Sequence, residues 1–393
     1  MSISILWVSD VIWGTRGYCG QGRLVLPRLA RLGHKVYHFP FRGFSGGNLE
    51  YGPVRVLPAL QEGIYGLDVL ASYWEMFKFN LQVNFHDIWT LPLSYRSDVG
   101  AKRLAVYFPI DHEPLSALIR DRIPMVDYPI VYSRFACRQM EEANLPYYYI
   151  PHALDVDTFG PGDKAAARKA LGLPQEAFIC TMVAANAGGW PPRKAFPENL
   201  AAFKRFQERH ADAFLYLHTN LFSFPGERGL DFGALLRELA LPPGTYRFAN
   251  QTNLVLGIPD RIMADVYRAS DVLLAASMAE GFGLPICEAQ LCGTPVITTN
   301  FSAMPENTVN GICTVPLPQR HWSFLDAWQA YPSVEAIHEA LEAIYSWSGE
   351  ERARRAEEGI RHFRDGFAAD KVVEEYWVPF LQEVQMEMEV MGG

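Results

Sequence analysis

Cysteine is scarce in this 393-residue chain, and the six that occur (Cys19, Cys137, Cys180, Cys287, Cys292, Cys313) are scattered. That excludes a disulfide framework of the secreted type. The nearest pair, Cys287 and Cys292, has no flanking histidine, so no metal-ligand spacing is present. Long apolar runs are missing as well. Nothing approaches the roughly 18–20 residues that a membrane-spanning helix requires. The opening MSISILWVSD has no basic region before its short apolar stretch and reads as a first strand, not a signal peptide. A positive excess is also lacking: the formal net charge is −9. Residues 1–155 are nearly balanced, with 15 Lys+Arg against 14 Asp+Glu, while residues 156–393 hold 20 against 30. Sequence-independent DNA binding rests on cations neutralising phosphates, so this balance argues against it. A reduced, cytoplasmic enzyme is the expectation.

What is present is ordinary globular composition, 49% apolar and 20% charged, in a chain too long for one core. Short apolar runs alternate with helical patterns. ISILWVSD (3–10) reads as a buried parallel strand, Gly14 to Gly22 as a glycine loop, RLVLPRLARLG as a helix stopped by Gly33, and HKVYHF (34–39) as the next strand. Further strands are expected at 54–58, 81–87, 103–109, 129–133 and from 147. Residues 147–162 form a Pro- and Gly-rich connector. A second alternating series begins at FICTMVAAN (178–186) and runs to TPVITTN (294–300). Two consecutive doubly wound α/β units follow. The expected boundaries are 1–155 and 156–371, with a C-terminal helix at about 372–393 packing back on the first. Ligands of such sheets bind at the carboxyl ends of strands, so a cleft between the domains is the expected site.

The strongest motif is AEGFGLPICEAQLCGTPVITTN (279–300). Glu280 and Glu288 are separated by seven residues and bracket the turn Gly281-Phe282-Gly283 at the entry of a helix. A helix N-terminus offers unpaired N–H groups to a phosphate or a sugar oxygen, and glycines permit close approach. A carboxylate on either side can accept from hydroxyls of the same ligand. The loop Gly17-Tyr-Cys-Gly20-Gln-Gly22 is not a proper G-x-G-x-x-G, and no acidic residue ends the strand 34–39, which disfavours a nicotinamide dinucleotide. Asp155-Val-Asp157 invites reading as a metal motif, but it lies in the connector. His112 and Asp111 in FPIDHEPLS, and His86-Asp87, follow strands and so sit at carboxyl ends.

The 279–300 segment, with ASDVLLAAS ahead of it, resembles the E-x7-E signature of retaining glycosyltransferases of the GT-B fold (family four, "glycosyl transferases group 1"). YIPHALDVDTFGPG, RGYCGQGRLVLPRLARLGHKVYHF and VAANAGGWPPRKAFPENLAAFKRF are similar to further segments of that family. The resemblance implies two Rossmann-like doubly wound domains facing a central cleft. It implies Glu280 on the donor sugar hydroxyls, the backbone of Gly281, Phe282, Gly283 and Leu284 along sugar and diphosphate, and Glu288 on the ribose. Arg193 and Lys194 would clamp the diphosphate. The family commonly has an arginine at the preceding strand end; here Ala185-Asn186 and a Gly-Gly-Trp-Pro-Pro insertion stand instead, so Asn186 is a donor-side candidate and Arg193 a replacement from another backbone position. Gly17 would approach the donor phosphate or the acceptor, His112 a donor hydroxyl, and Asp111 and His86 the acceptor. Asn250 to Leu256 would lie near the base.

The implied activity is retaining, metal-independent transfer of a sugar from a UDP- or GDP-sugar to an acceptor hydroxyl, with no cofactor. The acceptor is open: glycan, lipid, protein, small metabolite or modified nucleic-acid base, with peripheral membrane contact conceivable for the near-neutral first half. The alternatives are an inverting transferase or sugar-nucleotide epimerase of the same architecture, and a non-catalytic nucleotide- or glycan-binding protein on that scaffold.

Overall fold

The computed structural model describes residues 2–14, 17–41, 43, 45–59, 69–187, 190–222 and 229–392. The chain divides into two units: residues 1–154 with 324–327 and 366–393, and residues 155–323 with 328–365.

Unit 1 is built on eight strands: β1 (Ser4–Asp10), β2 (Lys35–Phe41), β3 (Leu49–Tyr51), β4 (Val54–Val56), β5 (Leu81–Phe85), β6 (Leu104–Phe108), β7 (Tyr128–Val131) and β8 (Tyr148–Tyr149). Their order is β3-β4-β2-β1-β5-β6-β7-β8, and every pairing is parallel except the β3–β4 edge hairpin. The apolar run Ile5–Val8 is wholly buried, as a strand covered on both faces must be. The helix that follows β1 spans Gly17–Arg31, so Gly17, Gly20 and Gly22 lie inside its first turns and not in a loop. Helix propensity argues against glycines there, but packing overrides it: a Cβ on Gly22 would stand 2.7 Å from Ile12 Cγ2.

β5 carries Gln82 and Asn84, both fully buried in an otherwise apolar strand. They are tolerated because they are paired. Trp74 Nε1 donates to Gln82 Oε1 (2.6 Å), Gln82 Nε2 to Asn84 Oδ1 (2.7 Å), and Asn84 Nδ2 to the Tyr95 hydroxyl (2.8 Å). The C-terminal helix Val378–Gly392, with the wide turn Val373–Trp377 before it, packs on this unit. Trp377, Phe380, Leu381 and Val384 are buried, Trp7 and Trp377 meet at 5.4 Å between ring centroids, and the Tyr148 hydroxyl donates to Glu383 (2.6 Å).

Three buried histidines of this unit predict its response to acid. Burial pushes His38, His86 and His152 down to about 3, in His38 against a partial offset from the Trp7 carbonyl. The unfolded chain takes up these protons near 6.5, so between those values it binds more protons than the fold does. Stability therefore falls as pH drops through that window, by up to about 1.4 kcal/mol per pH unit for each histidine. Denaturant midpoints measured from pH 7 to pH 4 should decline steadily, and less steeply in His38→Gln. A flat midpoint would contradict the burial argument.

Unit 2 holds β9 (Phe178–Val183), β10 (Ala213–His218), β11 (Tyr246–Phe248), β12 (Val272–Ala275), β13 (Val296–Thr299) and β14 (Gly311–Thr314), all parallel, in the order β11-β10-β9-β12-β13-β14. Relabelled from one, this is the doubly wound order 3-2-1-4-5-6, whose topological switch point lies between β9 and β12. Phe196, Phe203, Phe206 and Phe232 fill one face of the sheet. A hairpin of β15 (Arg320–Trp322) and β16 (Trp328–Ala330) is tied to the β12 exit by Ala330 N donating to Met278 O (3.1 Å).

Candidate functional site

The exits of β9 and β12 are neighbours because those strands are neighbours, and the predicted motifs follow them. Met278 N donates to Arg193 O (2.8 Å), which ties the two loops together. Arg193 Nη1 donates to the Ala279 carbonyl. Glu280, almost fully buried, accepts from Lys194 Nζ at 2.6 Å on Oε1 and from Arg193 Nη1 at 3.4 Å on Oε2. Burial works to raise its pKa, but the charges of Lys194 and Arg193 and hydrogen bonds from Lys194 and Ser277 outweigh it, so the carboxyl is held below its ordinary value. The side chain is a fixed, ionised acceptor with a cation on each oxygen.

The glycine corner follows. Gly283 has φ +89° and caps the helix Leu284–Leu291, a conformation that favours glycine. The amides of Gly281, Gly283 and Leu284 donate to no protein group among the described residues, which leaves a short run of N–H groups at a helix N-terminus. Glu288, inside that helix, accepts from the Tyr267 hydroxyl on Oε2 (2.8 Å). Thus Glu280, Arg193, Lys194, Gly281, Phe282, Gly283, Leu284 and Glu288 share one sheet edge. Asn186 lies on the same edge, but its carboxamide braces the loop beyond β10: Nδ2 donates to Asn220 O (3.1 Å) and Leu230 O (3.0 Å), and Oδ1 accepts from Leu230 N (2.7 Å). Asn250 caps the helix Gln251–Leu256 through Asn253 N (3.0 Å).

The other candidates belong to unit 1. Gly17 opens its first helix. His112 is buried, with Nδ1 3.1 Å from Asp111 Oδ1 and Nε2 without a hydrogen-bond partner among the described residues. His86 is buried at the end of β5, edge-on to Phe41 (5.0 Å). Asp155, the first residue of unit 2, closes a turn by accepting from Thr158 N (3.1 Å). Among the described residues no group of three or more His, Cys, Asp or Glu is placed to hold a metal ion.

Four contributors escaped sequence reasoning. Ser302 Oγ accepts from Glu280 N (2.9 Å), Ser277 helps to lower the Glu280 pKa, Asn307 Nδ2 donates to Phe282 O (2.8 Å), and Gln290 clamps the segment that carries Asn307. None of the four stood out in the sequence: Gln290 follows Glu288 by two residues in ICEAQLC and reads as one more polar position of that helix. A separate crevice lined by Lys164, Asp271, Cys292 and Trp347 lies at the opposite, amino edge of the sheet, and its Lys164 is already paired with Asp271 at 2.6 Å.

Residues 236–362 match the family model "Glycosyl transferases group 1". The chain is 32% identical over 165 residues to D-inositol 3-phosphate glycosyltransferase of Kribbella flavida, covering 42% of this chain and 37% of that protein. It is 38% identical over 157 residues to the enzyme of the same name from Rhodococcus jostii, covering 40% and 33%. The chain thus spans well under half the length of the curated relatives it matches. Among solved structures, it is similar to sucrose-phosphate synthase from Thermosynechococcus elongatus (TM-score 0.72, 18% identity, 99% of each chain). It is also similar to Anabaena HepE in complex with UDP-glucose (TM-score 0.68, 14% identity, 99% of this chain and 100% of that one). Among the described residues no helix is long and apolar enough to cross a membrane.

Proposed function

We propose, from the premise that the chain carries a glycosyl transferases group 1 domain in a GT-B fold, that it transfers a sugar from a UDP- or GDP-sugar to an acceptor hydroxyl with retention of anomeric configuration. The observation that carries the reading is Glu280 held ionised between Lys194 and Arg193, beside the amides of Gly281, Gly283 and Leu284, which have no partner among the described residues. An ionised carboxylate binds sugar hydroxyls by accepting from them, while cations and amides bind a diphosphate. Both halves of a nucleotide sugar are thereby matched, and Glu288, oriented by Tyr267, is suited to a ribose diol.

In the proposed reaction the acceptor oxygen bonds to the anomeric carbon as the bond from that carbon to the β-phosphate oxygen breaks. The acceptor proton passes to the departing diphosphate. No protein carboxylate becomes covalently attached. Negative charge grows on the leaving group, and Lys194, Arg193 and the corner amides are aimed at that charge. This is why the proposal needs no metal: the positive charge is supplied by side chains and the helix end.

The test is a thermal-shift screen of UDP- and GDP-sugars in EDTA, followed by NMR assignment of the product anomer. One nucleotide sugar at 100 times its Kd should add about 2.7 kcal/mol of apparent stability. Stabilisation by none, or loss of activity in EDTA, defeats the reading; an inverted product leaves a transferase but removes the retaining mechanism.

A further inference from the structure

The glycine corner has an anchor, and we infer that Asn307 is the positioning residue that aims the Gly283 amide at the ligand's distal phosphate. This rests on the reading of the site given above. The C=O of Phe282 and the N–H of Gly283 belong to one peptide unit. Cis bonds among the described residues occur only before prolines, at Glu113-Pro114 and Trp190-Pro191, so this unit is trans, and its carbonyl and N–H point in opposite directions. Buried Asn307 holds the carbonyl with Nδ2 at 2.8 Å. The Gly283 N–H is therefore turned away from the segment 302–310.

Such an anchor is needed because of the glycine. At φ +89° Gly283 permits more than one orientation of the preceding peptide at low cost. A flipped peptide would present a carbonyl oxygen where an amide should meet an anion. The neighbouring corner is pinned from the same segment: Ser302 Oγ accepts from Glu280 N, and Ala303 N donates to Glu280 O (3.3 Å). Asn307 is itself fixed, since its own carbonyl accepts from Gln290 Nε2 at 2.7 Å. Asn307 touches no ligand in this scheme. It acts through one peptide plane.

The experiment measures binding of UDP and UMP, or GDP and GMP, whichever pair binds the wild-type protein, by calorimetry on Asn307→Asp and Asn307→Leu. An aspartate carboxylate repels the Phe282 carbonyl, and leucine fills the space without donating. Both variants should bind the diphosphate about tenfold more weakly, the change expected from one lost hydrogen bond to a charged group, with monophosphate affinity unchanged because Glu288 is untouched. General loosening of the unit would weaken both ligands alike, so equal losses, or no loss, overturn the inference. Should neither variant fold, selective 15N-glycine labelling of the wild-type protein reads the same point: UDP, and not UMP, shifts the Gly283 amide resonance, and an unmoved resonance overturns it. If the wild-type protein binds no nucleoside diphosphate, it is the underlying reading that fails.

Discussion

Lys194→Ala is expected to lower kcat/KM for sugar transfer by about 10³, the upper end of what losing one preorganised charge-stabilising donor costs. Lys194 stands 2.6 Å from Glu280 and is mostly buried, so no solvent cation replaces it. Two consequences follow from one deletion. The departing diphosphate loses a cation, which lowers kcat. Glu280 is left with Arg193 at 3.4 Å, and burial, already the largest influence on its carboxyl, then pushes its pKa upward. In the wild-type fold this carboxyl titrates below its ordinary value, so its stabilising contribution is present above the unfolded pKa and disappears as pH falls through the folded one. In Lys194→Ala the acid limb of the pH–rate profile should accordingly move to higher pH. Glu280→Gln, which keeps the shape and removes the charge, should also lose most turnover, and the double variant should be scarcely worse than either single one, as for residues that act as a unit. A Lys194→Ala rate within tenfold of wild type, with an unmoved acid limb, would leave the pair without a catalytic role.

That pair was legible in the sequence because its chemistry is local: a carboxylate before a glycine turn, and two adjacent cations after a strand. The strands were legible for a similar reason. ISILWVSD and FICTMVAAN are runs rich in apolar and β-branched residues, and β1 and β9 lie inside them. The glycines at 17, 20 and 22 indicate a loop by composition but lie in a helix, and for Gly22 the constraint is the approach of that helix to Ile12, which no spacing encodes. Gln82 and Asn84 look wrong for a buried strand until Trp74 and Tyr95 are known to reach them. The hairpin β15–β16 was missed because its two three-residue strands carry too little periodic pattern to register. Asn307 and Ser302 were invisible because their partners are backbone groups about twenty residues away in the chain. Residue type is printed in a sequence; the identity of a partner is not.

The least legible residue of all should have the largest effect on stability. Gln290 is fully buried and uses its whole carboxamide: Nε2 donates to Ile286 O (2.8 Å) and Asn307 O (2.7 Å), while Oε1 accepts from Val309 N (2.9 Å) and Asn310 N (2.7 Å). Three of those four partners are backbone groups of the segment 307–310, and water cannot reach them in the interior. Gln290→Leu keeps roughly the same volume, so little cavity is created. What it creates instead is orphaned N–H and C=O groups, at about 1–3 kcal/mol each where no relaxation rescues them. With partial relaxation a loss of about 4 kcal/mol is expected, and for a unit of this size that lowers Tm by about 10 °C. Gln290→Glu separates the two kinds of contact. Its carboxylate can still accept from Val309 and Asn310 but, when ionised, cannot donate to Ile286 or Asn307, and burial favours its protonated form. Its deficit should therefore shrink as pH falls, opposite to the trend of the wild-type protein. Calorimetric melting of both variants between pH 5 and pH 8 checks this. A Gln290→Leu Tm within about 2 °C of wild type would mean that the segment finds other partners, and that the glycine corner it supports is held by Ser302 and Asn307 alone.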